Sequence, residues 1–297
     1  MAGRGVRRAL CALAASAALG AAADDGRWYT QLDNDVFYGT DRWYTSGVRI
    51  ARVGPRENGH ETEWGVLQEI YTPEAKRQNP IDRPNAARLL ATYARHDRSA
   101  SDWRTLELDV GVTGPAALGR QAQDWIHRFV PAPHEEWKNQ RSDRLDAQLA
   151  WVRTADLAAM GREASLKTHY GVVLGNQIAF AHAGLELRVG EGGATSLSTP
   201  AIRFAATPPL ALRADGSWSG FLGASIRAIA WNHLLDVAPG LDAATPERRR
   251  TVQRFMGGVT WAGSCASATF ALIHDTREFF GQRLDHGFGS LTVHVPF

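Results

Sequence analysis

Apolar and polar residues alternate along many short segments of this chain, with a period of two residues. The alternation is clearest at 106–112, 145–151, 185–189 and 291–297. In each segment one set of side chains is apolar, whereas the other consists of Glu, Asp, Gln, Arg, Thr or His. Because successive side chains of a β-strand point to opposite faces, the pattern predicts strands with one apolar and one polar face.

The length and number of these segments favour a membrane barrel. They match the roughly 9–11 tilted residues that cross a bilayer, whereas globular strands average about 5–6 residues. We therefore predict an all-β fold: a transmembrane antiparallel β-barrel of about 12 strands, with a short helix in one loop. A periplasmic β-sandwich, with its apolar faces turned inward, is the alternative. Strands are expected at 27–36, 44–54, 61–73, 87–96, 103–113, 143–156, 164–174, 182–190, 217–231, 248–262, 265–279 and 287–297.

Aromatic residues recur near the ends of the predicted strands, where a membrane barrel carries interfacial girdles. We expect these side chains to lie in such girdles. They are Trp28, Tyr29, Trp43, Tyr44, Trp64, Tyr71, Trp103, Trp151, Trp218, Trp231 and Trp261. Phe297 closes the last alternating strand, which resembles the C-terminal signal of bacterial outer-membrane barrels.

The first residues are typical of a secretory signal peptide. Three arginines precede an apolar stretch at 9–19, and small residues follow at 21–23. We expect a signal peptide at 1–23 and one outer-membrane barrel domain at 24–297. No later segment reaches the roughly 18 apolar residues of a membrane-spanning helix. The formal net charge of the whole chain is +2, and loss of the signal leaves about −1, so nucleic acid is not an expected partner.

Two insertions interrupt the strands. Residues 191–216 are rich in Gly, Ser and Pro, and include a possible short strand at 200–205. Within 114–142, helical spacing over 117–130 predicts a short amphipathic helix. Its apolar face would comprise Leu118, Ala122, Trp125, Ile126 and Phe129, and its polar face Arg120, Gln123, Asp124 and His127.

The densest polar cluster lies in the first hairpin, at 31–47. Asp33, Asn34 and Asp35 occur where a strand is expected, although Asn and Asp are depleted in strands. Residues that break a local rule are often functional. Ordinary turn chemistry around Gly39 is the alternative.

The cluster, together with the helical insertion, resembles the outer-membrane lipid A 3'-O-deacylase family. In the first hairpin the matching residues are Asn34-Asp35, Thr40-Asp41-Arg42 and Tyr44-Thr45-Ser46-Gly47. In the insertion they are Gly114-Pro115-Ala116, Gln121, His127, Trp137 and Gln140. The resemblance implies an outer-membrane, calcium-dependent enzyme that hydrolyses the 3'-linked acyl ester of lipid A in lipopolysaccharide. We expect it to be a monomer.

Site residues follow from the same resemblance. It implies His127 as the general base, with Asn34, Asp35 and Thr45 as polar catalytic residues. Asn34 and Asp35 would also hold Ca²⁺, which prefers oxygen ligands. The family commonly has a Glu six residues after the histidine, but Pro133 occupies this place, so the nearest acids, Glu135 and Glu136, are the expected further metal ligands. Substrate contacts are expected from Ser46 and from arginines able to bind phosphate, namely Arg42, Arg120 and Arg141.

Alternative mechanisms and functions for these residues remain open. Ser46 could be a nucleophile with His127 as base and Asp35 as orienting group. We prefer attack by water, because neighbouring strand residues point to opposite faces, so Ser46 would face lipid if Thr45 faces the lumen. A porin or structural barrel without catalysis, and a phospholipase-type barrel, are the alternative functions.

Overall fold

Twelve antiparallel strands close into a barrel in the computed structural model of the chain, with β1 paired to both β2 and β12. The structure describes residues 26–40, 42–74, 82–99, 101–128, 137–161, 163–190, 216–240 and 244–297. The strands are β1 Arg27–Asn34, β2 Trp43–Val53, β3 His60–Thr72, β4 Ala86–Arg98, β5 Asp102–Thr113, β6 Arg144–Ala159, β7 Ala164–Gly175, β8 Ile178–Gly190, β9 Ser217–Asn232, β10 Thr251–Ala262, β11 Ser267–Asp275 and β12 His286–Pro296.

One short helix, α1, spans Gly119–Ile126. Short 3₁₀ turns occur at Asp35–Tyr38, Pro115–Ala117, Trp137–Asn139 and His233–Leu235. No helix in the described ranges is long and apolar enough to cross a membrane. The predicted twelve-stranded barrel with one loop helix is therefore confirmed, and the expected strand at 200–205 lies outside the described residues.

The barrel has two distinct ends. Residues Arg27 and Pro296, at the first and last strand positions, are paired at one end, which we call the proximal end. The connections that follow β1, β3, β5, β7, β9 and β11 lie at the other, distal end. Strand β8 ends at Gly190 and β9 begins at Ser217, both at the proximal end, and residues 191–215 between them are not described.

Apolar side chains cover the outside of the barrel. Along β5, Leu106, Leu108 and Val110 are each about half exposed, whereas Glu107 and Asp109 between them are buried. Leu149 on β6 and Leu187 on β8 are likewise exposed. This arrangement is the reverse of a soluble β-sandwich, and it matches a barrel whose outer surface contacts hydrocarbon.

Charged side chains fill the interior and neutralise one another. Arg88 forms ion pairs with Asp146 at 2.7 Å and with Glu69 at 3.0 Å. Arg49 pairs with both Glu63 and Glu107, and all these side chains are almost fully buried. A buried charge is tolerated only when it is paired and hydrogen bonded. The interior around Arg49 and Arg88 is therefore filled by a network of ion pairs.

The aromatic residues divide between the two faces. Trp28, Trp64, Trp151, Trp218 and Trp231 are between 37% and 62% exposed on the outside, as interfacial girdles require. The expectation was wrong for five others, because each is at most 3% exposed and packs inside the barrel. These are Tyr29, Trp43, Tyr44, Tyr71 and Trp103.

A charge placed on the outer face should be costly near the bilayer centre only. Leu108 lies in the middle of β5, so Leu108→Arg should lower the free energy of unfolding by about 2–4 kcal/mol. Leu145, the second residue of β6, lies near the distal end, and Leu145→Arg should cost at most about 1 kcal/mol. Guanidinium unfolding in lipid vesicles measures both losses of stability. Equal losses for the two variants would contradict the assigned positions of Leu108 and Leu145 in the bilayer.

Removal of one interior arginine should leave buried carboxylates unpaired. We expect Arg88→Met to lower the free energy of unfolding by about 3–5 kcal/mol, since Asp146 and Glu69 would lose their cation. Arg95 pairs with Asp97 on the exposed surface, and Arg95→Met should change stability by at most about 1 kcal/mol. The same unfolding assay compares the two variants. If Arg88→Met and Arg95→Met had the same free energy of unfolding, the interior ion pairs would not contribute to the stability of the barrel.

Candidate functional site

Two residues of the first hairpin motif begin a row that crosses the outer wall toward the helical insertion. Asn34 on β1 is in register with Ser46 on β2, Ser46 with Ile70 on β3, and Ile70 with Ala87 on β4. With neighbouring strands about 4.8 Å apart, this row of four spans about 14 Å. We call it the outer row. It lies at the distal end, where the insertion after β5 returns to the barrel wall.

The 3₁₀ turn Asp35–Tyr38 begins at one end of the outer row. Asn34 caps this turn, because its Oδ1 accepts a hydrogen bond from the Val36 backbone N at 2.9 Å. Asp35 is 1% exposed, and its Oδ2 accepts from the Arg42 backbone N at 2.6 Å. The polar residues that break the strand pattern thus end β1 and fix the path of the turn.

Two glycines of β12 allow the turn to lie flat against the wall. A Cβ atom added to Gly287 would lie 2.2 Å from the Tyr38 ring, and one added to Gly289 would lie 2.4 Å from the Cβ of Phe37. Phe37 also packs edge-on against Phe270 of β11. This close approach holds the turn, and with it Asp35, against β12.

A β-bulge in β2 places two hydroxyl groups on the same side of the wall. Tyr44 pairs with Tyr71 and Ser46 with Ile70, so Thr45 has no partner in the register. The Oγ1 atoms of Thr45 and Thr72 are 2.5 Å apart. Thr72 follows the inward-facing Tyr71, so Thr45 turns outward beside Ser46. The expectation that these two neighbouring side chains point to opposite faces is wrong, because the bulge interrupts the alternation.

Helix α1 packs on the outside of β3 and β4. Gly119 permits this contact, since an added Cβ would lie 2.4 Å from the Cβ of Ala87 and 2.9 Å from the Trp137 ring. Ile70, Ala87 and Trp137 form one apolar cluster with Ala117. The insertion therefore covers the β3 and β4 end of the outer row.

His127 and Gln123 lie one helical turn apart. Gln123 is 4% exposed, and its Oε1 accepts a hydrogen bond from Trp137 Nε1 at 2.9 Å. Its Nε2 is buried and has no hydrogen-bond partner among the described residues. His127 ends α1 and is half-buried, and no hydrogen bond to its ring occurs within the described part of the chain. These two side chains are the polar groups that α1 offers to the site.

The orientation of α1 differs from the expected one. Leu118 and Trp125 are 48% and 60% exposed, whereas Gln123, assigned to the solvated face, is buried. Gln121, the glutamine matched by resemblance, is exposed. Gln123 lies four residues before His127, so these two side chains share a helix face and Gln123 is the glutamine beside the histidine.

The arginines expected to bind phosphate differ in their surroundings. Arg42 pairs with Glu74 at 3.2 Å and lies over the Trp43 ring. Arg141 is 3% exposed and donates to Gln177 at 3.0 Å. Arg120 is the accessible one, with a side chain that is 60% exposed and a long 3.7 Å pair with Asp124.

The oxygen atoms around the outer row are suited to a hard cation. Asp35 supplies a carboxylate, Asn34 an amide oxygen, and Thr45 and Ser46 hydroxyl groups, all ligand types that Ca²⁺ accepts. No group of three His, Cys, Asp or Glu side chains that could hold a metal occurs in the described ranges. Glu135 and Glu136, the other expected ligands, lie outside them.

Solved structures of other proteins resemble this chain to different degrees. LpxR from Salmonella typhimurium superimposes with a TM-score of 0.80 at 19% identity, covering 91% of this chain and 100% of that chain. The β domain of the Bordetella autotransporter BrkA gives a TM-score of 0.49 at 10% identity, covering 92% of this chain and 100% of that one. No curated protein sequence gives a match.

The sequence profile of a single family extends over nearly the whole chain. The profile described as outer membrane protein LpxR matches residues 8–297. Together with the closed twelve-stranded barrel, this match shows that the chain belongs to the LpxR family and is an integral β-barrel of the outer membrane.

Proposed function

We propose that the protein is a lipid A 3'-O-deacylase that acts in the outer leaflet of the outer membrane. Membership of the LpxR family supports an outer-membrane, lipid A-modifying protein. The observation that carries the finer proposal is the outer row with the turn beside it. There Asn34, Asp35 and Ser46 place an amide, a carboxylate and a hydroxyl group on a wall that elsewhere contacts hydrocarbon. An ester at the rim of the leaflet would reach this row while its acyl chain stays in the membrane.

In the proposed reaction, the neutral His127 imidazole takes a proton from water as the water oxygen attacks the ester carbonyl. The bond between the acyl carbon and the 3'-oxygen of the sugar then breaks. The proton passes from His127 to this departing oxygen. The products are a fatty acid and a free 3'-hydroxyl group. The buried Nε2 group of Gln123 is a suitable donor to the oxyanion. Thr45 and Asn34 would orient the water and the ester.

Calcium is part of the proposal, since the donor set at Asn34 and Asp35 suits it. Glu135 and Glu136 would complete the ligand set together with water. Bound there, Ca²⁺ would polarise the ester carbonyl as a Lewis acid. Asp35 is pre-oriented for this role by its hydrogen bond from the Arg42 backbone.

A Ser46 nucleophile is the alternative mechanism, and the bulge removes the geometric objection to it. Ser46 lies on the outer face but is 5% exposed, between Asn34 and Ile70 in the register. No hydrogen bond joins Ser46 to the His127 ring in the described part of the chain, although a base-activated nucleophile needs one, so we retain water as the nucleophile. Ser46→Ala should then keep most of the activity, whereas an acyl-enzyme mechanism requires that it lose nearly all.

The alternative functions differ in what they require of the lumen and the substrate. A porin requires an open lumen, but Arg49, Arg88, Arg188 and Arg254 are buried within it. A phospholipase-type barrel would cleave glycerophospholipids and leave lipid A unchanged. Mass spectrometry of both lipid classes from expressing cells separates these alternatives from the proposed function.

Loss of His127 should remove the proposed base without disturbing the barrel. We expect His127→Ala to slow release of the 3'-linked acyl group at least about a hundredfold, the usual worth of a positioned base. His60→Ala, at the proximal end of β3, is the control and should retain normal activity. Mass spectrometry of lipid A provides the measurement. Normal deacylation by His127→Ala would refute the assignment of the base.

Calcium removal should stop deacylation reversibly. We expect excess chelator to abolish it and added Ca²⁺ to restore it. Asp35→Asn should raise the Ca²⁺ concentration for half-maximal activity at least about tenfold, because one ligand charge is lost. Asp97→Asn, on the exposed surface, serves as the matched control. Full activity of the wild-type enzyme in chelator would exclude the proposed calcium role.

A further inference from the structure

A polar recess lies on the outer wall at the distal ends of β10 and β11. Its volume is about 360 Å³, and Thr251 and Gln253 line it on β10. These two side chains face outward, because Val252 and Arg254 beside them are buried inside the barrel. The remaining lining residues are Arg249, Thr276, Arg277 and Asp285.

The recess carries more positive than negative charge. Arg249 makes no ion pair with a described residue, its Nε is buried without a hydrogen-bond partner, and its guanidinium group stacks on Phe280 with 4.6 Å to the ring centroid. Arg277 lies 3.6 Å from Asp285, and this carboxylate is shared with His274 at 3.4 Å. The recess therefore contains two guanidinium groups and one carboxylate, that of Asp285, which already contacts His274.

The surroundings place the recess at the membrane interface. Phe255 and Leu272, further along the same strands, are 47% and 41% exposed on the outer wall. Five of the six distal connections have eight or more residues, and 114–143 and 233–250 are the longest of them. Four of the five proximal connections have six or fewer, and 191–216 is the long exception. Since long loops of such barrels face the cell exterior, the recess lies at the headgroup level of the outer leaflet.

We propose that this recess binds a phosphate group of a phosphorylated outer-leaflet glycolipid, as a lipid site separate from the outer row. Guanidinium pairs bind phosphate through charge-assisted, often bidentate hydrogen bonds. The Thr251 hydroxyl group and the Gln253 amide add donors, and the acyl chains would run along Phe255 and Leu272. The proposal rests on the outer-membrane location and not on deacylation.

The two lipid positions lie on either side of the 3₁₀ turn Asp35–Tyr38. Tyr38 Oη and His274 Nδ1 are 3.2 Å apart, and His274 contacts Asp285 of the recess. The outer row extends from the opposite side of the turn, toward β4. A lipid in the recess would therefore be a neighbour of the substrate and would not occupy its place.

The test counts lipids bound to the purified barrel by native mass spectrometry, with all variants in the His127→Ala background so that no lipid is consumed. With bisphosphorylated lipid A, we expect Arg249→Gln/Arg277→Gln to weaken one of two binding events at least about tenfold, since two charge-assisted hydrogen-bond donors are lost. Arg283→Gln, in the same loop but outside the recess, should bind both lipids normally.

Further lipids define the ligand class. Lipid A without phosphate should bind the parent and the double variant equally, and phosphatidylglycerol should not displace the second lipid A. An unchanged second binding event in the double variant, an equal loss in Arg283→Gln, or displacement by phosphatidylglycerol would each overturn the proposal. Absence of deacylation by the wild-type protein would leave these lipid counts unchanged, so the failure of the proposed function is distinguishable.

Discussion

Hydrocarbon provides no hydrogen-bond partner for a polypeptide backbone, and pairing of β1 with β12 meets this constraint by leaving no sheet edge. Closure also fixes the two faces of every strand. Apolar residues such as Leu108 face outward, and charged residues such as Glu107 face an interior in which Arg49 and Arg88 neutralise them. Each feature that could serve catalysis is a departure from this regular wall.

Four local departures create the outer row. Asn34 ends β1 as a cap, the Thr45 bulge turns two hydroxyl groups outward, Gly289 admits the turn, and Gly119 admits α1. The first two features end or interrupt regular strand geometry, and the two glycines let the segments that carry further polar groups lie against the wall. The site is therefore built by exceptions to the alternation that specifies the barrel, and this suits the proposed lipid substrate, which would stay in the leaflet.

The sequence predicts the barrel well because lipid and lumen impose opposite polarity on alternating residues. The predicted strand at 217–231 differs from the observed Ser217–Asn232 by one residue. The bulge at Thr45 was not predicted, since one extra residue leaves no mark on composition. The direction of Tyr44 was also wrong, because an aromatic residue at a strand end suits either face. The buried face of α1 was misassigned for a physical reason: lipid lies on its outer side, so Trp125 faces away from the wall.

The central claim is that the chemistry takes place on the outer wall, between the Asp35–Tyr38 turn and α1, and not inside the barrel. A crystal structure of the His127→Ala variant with calcium and intact lipid A tests this directly. We expect the 3' ester between Asn34 and His127 and the cation at Asp35, with the acyl chains outside the barrel. Lipid bound within the lumen, or a cation held by interior carboxylates such as Asp146, would contradict it.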